Sequence, residues 1–167
     1  VLDATLSSLS GEQHAADAAF TMMALDDSRH LLEARLDSLD HGLLQGTWAD
    51  RLGGQQSMWS TTRLDTQGWM IGQDYRFSAD VTLGAAFGQS NGYASHTVRG
   101  DRERNRQVEG QLYGAWKHDA HYVMGRMARG QMDRWMQRDI LLGSQRFDVQ
   151  SEYANQYTTL GVQAGHR

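Results

Sequence analysis

Residues Gly68 to Ser90, GWMIGQDYRFSADVTLGAAFGQS, form two alternating runs joined by a short polar turn. Trp69, Ile71, Tyr75 and Phe77 share one parity of the first run, broken only by Gln73, while Gly68, Met70, Gly72 and Asp74 share the other. In the second run Val81, Leu83, Ala85 and Phe87 alternate with Thr82, Gly84, Ala86 and Gly88. Successive side chains of a strand point to opposite faces, so the pair reads as a hairpin with one apolar face. The other face is small or polar, and the aromatics gather near the turn. Membrane barrel strands have this distribution, apolar outward and polar inward, with aromatic residues at the interfaces. Trp69, Ile71, Tyr75, Leu83 and Phe87 are therefore expected to face lipid. Gly72, Asp74, Gly84 and Gly88 are expected to line the interior, the glycines leaving room for the backbone of something inside.

Composition is compatible with that reading. The chain has 167 residues, 40% of them apolar, enough for a sizeable core. Mean hydropathy is -0.62, and no apolar run approaches the roughly 18 residues of a transmembrane helix. Barrel strands escape that test because their hydropathy signal is weak. Net charge is -4 and the pI about 5.9, so no basic field for nucleic acid exists. The absence of cysteine and proline removes disulfides, zinc-thiolate sites and slow X-Pro isomerisation. A chain without cysteine also suits passage through an oxidising compartment before folding. The start at VLDATL has no signal-peptide pattern and reads as the beginning of an excised segment.

Upstream of the hairpin, Ser10 and Gln13 have the spacing of a capping box. From there to Leu39 a run rich in Ala, Leu, Met, Glu and Arg contains neither Pro nor interior Gly, and Gly42 supplies a stop. The spacing predicts one helix of about 30 residues, roughly 45 Å long. Asp26, Asp27, Arg29, Glu33, Arg35 and Asp37 make its second half too polar for lipid, so beside barrel strands it belongs inside the barrel. Leu25, Leu32, Leu36 and Leu39 also fall at three-to-four spacing, which a helix packed on a soluble sheet would share.

Downstream, the alternation predicts six strands, near Gly46–Gly54, Thr62–Phe77, Val81–Ser95, Arg106–Lys117, His121–Arg134 and Gln145–Gly165. Ser78–Asp80 and His118–Ala120 are short turns, whereas HTVRGDRERNR and the region around DRWMQRDILLGS read as longer polar loops. Short connections at one rim and long ones at the other are the outer-membrane arrangement, turns periplasmic and loops extracellular. In the fourth strand Leu112 and Trp116 are expected outward with Val108, and Glu109, Gln111, Tyr113 and Lys117 inward. In the sixth, Leu160 and Val162 are expected outward, and Tyr153, Asn155 and Tyr157 inward. The fifth strand resists: outward Tyr122 and Met124 would carry Arg126 into lipid, implying a bulge, a rim position or a different phase. Six strands fall short of the roughly eight of the smallest closed barrels.

The series LSGEQHA at Leu9–Ala15, WADRLGG at Trp48–Gly54, GWMIGQDYRF, VTLGAAFGQS, QLYGAW and YTTLGVQAGHR at Tyr157–Arg167 resembles, in order and spacing, the N-terminal half of an autotransporter (type V secretion) β-domain. LSGEQHA is similar to the linker-helix start of subtilisin-like protease autotransporters. The resemblance implies an all-β transmembrane barrel, about six of an expected twelve antiparallel strands being present, with an N-terminal α-helix threaded through the lumen. It divides the chain into a linker with the pore-spanning helix, residues 1–45, and the first half of the translocator barrel, residues 46–167. The implied function is secretion and surface anchoring of an N-terminal passenger in the bacterial outer membrane, with the helix plugging the pore. The implied partners are that passenger, outer-membrane lipid, the barrel assembly machinery and the remaining strands. Protease, esterase and adhesin passengers all remain open. The paired asparagines at which some relatives cut the linker are absent from the helix.

Other motifs carry less. Gly88-Gln89-Ser90-Asn91-Gly92 fits the G-x-S-x-G nucleophile elbow, but the next residues, YASHTVRGDR, read as strand end and loop rather than helix. His118, Asp119 and His121 cluster in a turn without a third fixed ligand, so no metal is expected. Arg99–Asp101 spells Arg-Gly-Asp within a loop of mixed charge. No glycine loop for nucleotide is present, and neither a cofactor nor catalysis is expected of this segment. Function should lie in the interior, with Arg29, Glu33 and Arg35 of the helix meeting the wall. The alternative is a soluble β-sheet binding module capped by the helix, which would bury Trp69, Ile71, Leu83 and Phe87 against protein.

Overall fold

The computed structural model describes residues 12–40, 46–58, 62–96, 102–142 and 145–166. It contains one helix, α1 (Glu12–Asp40), and six strands: β1 (Thr47–Met58), β2 (Thr62–Arg76), β3 (Val81–His96), β4 (Arg102–His118), β5 (His121–Leu142) and β6 (Gln145–His166). The strands form one antiparallel sheet in sequence order, β1 to β6. This is a partial barrel with the helix against its inner face. Ser10, Gly42, the Arg99–Asp101 tripeptide and the side chain of Leu39 lie outside the described residues.

At 29 residues, α1 is about 44 Å long, matching the uninterrupted run of helix formers. Leu32 and Leu36 are buried with Trp48, Leu52 and Met70 of the sheet. A second cluster sets Ala19 and Met23 of the helix on Leu64 and Ala94. Each such leucine contributes about 1.5–3 kcal/mol by leaving water. The inner face is thus apolar beneath this stripe, whereas the inner row of β4 from Glu103 to Gln111 is polar. The outer face carries the exposed apolar side chains, from Val123 and Trp135 at 41% to Val162 at 81% exposure. A soluble module would have buried these rows.

Short connections set the register. Between β2 and β3 the Ser78 Oγ accepts from the amides of Asp80 and Val81, at 3.3 and 3.1 Å. Between β4 and β5 only Asp119 and Ala120 lie outside the ladder, closed by the His118–His121 pair. Asp119 takes φ 51°, a left-handed conformation that its short side chain tolerates.

That turn corrects the expected phase of the fifth strand. A three-residue turn would pair even residues with even ones, but the two-residue turn sets Trp116 opposite Val123 and Leu112 opposite Met127. Val123 and Met127 are therefore outward, and Tyr122, Met124 and Arg126 inward, with no bulge needed. Three strands also run longer than hydropathy suggested. β1 continues past Gly54 to Met58, β4 begins at Arg102 rather than Arg106, and β5 reaches Leu142 rather than Arg134. RERN and QRDILL are ladder, not loop, because backbone pairing is indifferent to side-chain charge. Their alternation persists, with Glu103, Asn105, Arg134 and Met136 buried and Trp135 exposed.

Aromatic residues lie across glycines that they face in the register: Trp48 over Gly72, Tyr113 over Gly84, Tyr157 over Gly130 and Tyr122 over Gly165. The expectation that Gly72, Gly84 and Gly88 make room for the helix backbone is corrected here. Side chains of neighbouring strands fill the space, Trp48 at Gly72, Tyr113 at Gly84, and Met70 with Leu52 at Gly88. A glycine weakens a strand, and an aromatic ring laid across it restores the lost packing. A Cβ at Gly84 would fall inside the Tyr113 ring, whereas one at Gly110 meets nothing within 4 Å. Gly84→Val should therefore destabilise the folded sheet by about 1–3 kcal/mol, while Gly110→Ala should stay within about 0.5 kcal/mol of wild type. Urea unfolding of the detergent-folded protein measures both, and equal effects would reject the pairing argument.

Candidate functional site

The polar chemistry of the chain collects along the seam where α1 meets the inner face. At the end nearest the short turns, Arg35 Nε and Nη2 both donate to Asp74 Oδ2, at 2.8 and 2.6 Å. Asp74 Oδ1 accepts from Trp48 Nε1 at 3.2 Å and from the Tyr113 hydroxyl. The indole N–H is shared with the Tyr113 oxygen at 2.9 Å, and the guanidinium lies 5.6 Å from the Trp48 ring centre. The Asp74 side chain is fully buried. Register explains the convergence: Trp48 sits opposite Gly72 and Tyr113 opposite Gly84, so both rings lean over small residues toward the carboxylate of β2. A buried carboxylate is tolerated when paired and hydrogen-bonded, as this one is by a cation and two neutral donors.

Midway along α1, the Thr66 hydroxyl donates to Asp27 Oδ2 at 3.0 Å and accepts from the Gly54 amide at 2.9 Å. At the far end, Arg134 Nη2 donates to the Thr21 hydroxyl, and its Nη1 reaches the Tyr153 oxygen at 3.4 Å. The same nitrogen lies 4.0 Å from Glu103 Oε1. Within the wall, Tyr157 crosses Gly130 to donate to Glu109 Oε2 at 2.6 Å, and Gln111 donates to Glu109 Oε1. The helix is thus joined by side-chain bonds to β2 at two heights and to β5 at a third.

By strand parity, Gly72, Asp74, Gly84, Gly88, Glu109, Gln111, Tyr113, Lys117, Tyr153, Asn155 and Tyr157 all lie on the helix side of the sheet. Asn155 is exposed there, on the outermost described strand. Trp69, Ile71, Tyr75, Leu83, Phe87, Leu112, Trp116, Leu160 and Val162 lie on the other side, all exposed. Of the three helix residues singled out, Arg35 bonds to the wall. Arg29 bonds instead along the helix, to Asp26 at 2.7 Å and Glu33 at 3.8 Å, and His30 lies 3.6 Å from Glu33. Arg29 and Glu33 border a cleft of about 410 Å³ whose other bank includes Arg126 and Gln163.

Sequence reasoning passed over Trp48, Thr66, Asp27, Thr21, Glu103 and Arg134. The alternation of Met132, Arg134 and Met136 with Asp133 and Trp135 was the available signal for Arg134. β3 runs unbroken through Ser90, so that residue is not on a strand-to-helix elbow. His118 stacks on Trp116 and bonds to Asp80 at 3.1 Å, and His121 meets His166 edge-on. No group of three or more His, Asp or Glu among the described residues is placed to share a metal ion.

A family model described as autotransporter β-domain matches residues 44–167. Among solved structures, the chain is similar to the translocator domain of autotransporter NalP from Neisseria meningitidis, with a TM-score of 0.67 and 15% identity, over 87% of this chain and 52% of that one. At that identity the likeness is one of fold, and the chain spans about half the length of the NalP domain. No curated protein sequence matches. Since the family model takes in the entire sheet, from before β1 to beyond β6, the chain belongs to the autotransporter β-domain family.

Proposed function

We propose that the chain serves as part of an outer-membrane translocator that exports and anchors an N-terminal passenger, with α1 seated in the pore as its plug. One observation supports this above the rest: the charged helix is bonded to the face opposite the exposed apolar rows. Residues 1–45 then act as linker and plug, and residues 46–167 as the first half of the barrel wall. The partners are the passenger, outer-membrane lipid, the assembly machinery and further strands, because unpaired edges at β1 and β6 could not persist in hydrocarbon. The passenger would be displayed at the cell surface, and its chemistry lies outside this segment.

Three features favour a passive conduit. The interior carboxylates Asp74 and Glu109 and the Thr66 hydroxyl are engaged in structural hydrogen bonds. Nothing in the sequence cradles a nucleotide. The helix-to-wall joints are also spread over much of α1, from Thr21 to Arg35.

The Arg35–Asp74 joint should govern the seal. Removing one partner of a buried pair costs about 3–5 kcal/mol because the other charge is left alone. Arg35→Ala in the full-length protein should therefore raise ion conductance in planar bilayers, and Arg29→Ala, whose bonds stay on the helix, should change it less. Equal and unaltered conductance in both variants would count against the plug. For lipid contact, Leu112→Arg should weaken folding into bilayers by about 2–4 kcal/mol, and Asn91→Arg, outward but nearer the rim, by about 0–1 kcal/mol. Reversible folding into vesicles compares them, and equal penalties would reject the membrane placement.

A further inference from the structure

The outer face changes character along the strands. On the short-turn side of Leu112 its rows carry no lysine or arginine among the described residues. Beyond that level β4 presents Arg106, Arg104 and Arg102 in succession, and β5 presents Arg129, all four exposed. From the level of Arg129 to that of Arg102, the outer rows of β3 to β6 hold these four arginines against two carboxylates, Asp133 and Glu152. The chain as a whole has a net charge of -4, so the patch is a local reversal of sign.

Height locates the patch. Arg106 is ten residues from Trp116, which is about 33 Å along the strand and about 23–27 Å along the membrane normal at the usual strand tilt. The apolar band of a membrane barrel is about 25 Å tall. With Trp116 at the edge nearest the short turns, Arg106 stands at the opposite edge, and Arg104 and Arg102 step into the headgroup layer. Aromatic side chains mark the same height, since Tyr93 of β3 and Trp135 of β5 lie in register on either side of Arg104, both exposed. Arg129 lies lower on β5, and its long stem lets the guanidinium reach upward.

These guanidiniums have donors to spare. Arg104 lies 5.7 Å from the Tyr93 ring centre, a contact with the ring that consumes no N–H donor. Arg106 gives one bond, to Gln89 at 3.4 Å. Among the described residues no carboxylate pairs with any of the four. Asp133, across from Arg106, accepts instead from Gln131 at 2.8 Å. Trp135 stands between Arg104 and Glu152 in the register. Arg102, Arg104 and Trp135 border an open groove of about 790 Å³, with Gln137, Gln150 and Glu152 on its other side.

We propose that the ladder of Arg102, Arg104 and Arg106, with Arg129 beneath it, binds the phosphate groups of a phosphorylated glycolipid in the outer leaflet. Arginine presents a planar fork that takes two phosphate oxygens at once. Arg102 and Arg106 are about 13 Å apart along the strand, room for a headgroup bearing more than one phosphate, and Gln137 and Gln150 add neutral donors for sugar hydroxyls. With the short turns periplasmic, the patch falls on the outer leaflet. The site rests on the membrane placement of the outer rows.

The test titrates the full-length protein, folded in neutral detergent, with diphosphoryl lipid A and with the same lipid stripped of its phosphates, followed by tryptophan fluorescence. The phosphorylated lipid should bind at least about tenfold more tightly, the value of one hydrogen bond to a charged group, and should raise the melting temperature. Replacing Arg102, Arg104 and Arg106 together by Gln should erase the preference. If that variant does not fold, the comparison of the two lipids on the wild-type protein alone decides. Equal affinity of the wild type for both lipids would overturn the site. Equally tight binding of the deacylated phosphosugar would also overturn it, because the ligand would then be a soluble phosphate. Membrane placement is judged separately by Leu112→Arg and Asn91→Arg. Unequal folding penalties without a lipid preference keep the placement and remove the site, whereas equal penalties remove the placement and the glycolipid site with it.

Discussion

A strand in hydrocarbon has no water to satisfy its backbone, so each N–H and C=O must find a neighbour at the right height, whatever the side chains are. Register is then fixed for the whole sheet by its tightest turns. The Asp119–Ala120 turn alone determines that Val123 and Met127 share a face with Leu112 and Trp116, and that Arg126 is turned inward. A slip of one residue would exchange the two faces of every strand beyond it.

Within that frame, the inner face solves two problems with the same residues. Glycines opposite aromatics let Trp48 and Tyr113 lie flat across the sheet, and in lying flat their polar tips converge on Asp74. The carboxylate is thereby held in place to receive Arg35. The apolar stripe of Leu32 and Leu36 supplies area, and the ion pair supplies position. Buried pairs of this type are weak sources of net stability but strong selectors of one arrangement.

Much of this was legible in the residues alone. The parity of Trp69, Ile71, Leu83 and Phe87 was plain because β2 and β3 alternate cleanly around a short turn. The inward set of β4 was plain for the same reason. The phase of β5 is hidden because His118, which reads as part of a three-residue turn, belongs to the ladder, and hydropathy gives no help where methionines occupy both faces. The ends of β4 and β5 were hidden because charged residues mimic a loop. Arg35 and Arg29 differ by less than two helical turns, and the rotation of α1 about its axis, which decides between them, depends on where Leu32 and Leu36 find their hollow. The pairing of rings with glycines becomes visible only once register is known.

Every helix-to-sheet side-chain bond described ends on β2 or β5, within the six strands present. These six strands by themselves thus offer the helix bonding partners at three heights. A polar rod of this length would be difficult to push through a finished ring, but it can rest on an open sheet whose later strands wrap around it. If α1 is the plug we propose, the pore is a mould closed over its core, and the order of assembly replaces the act of threading.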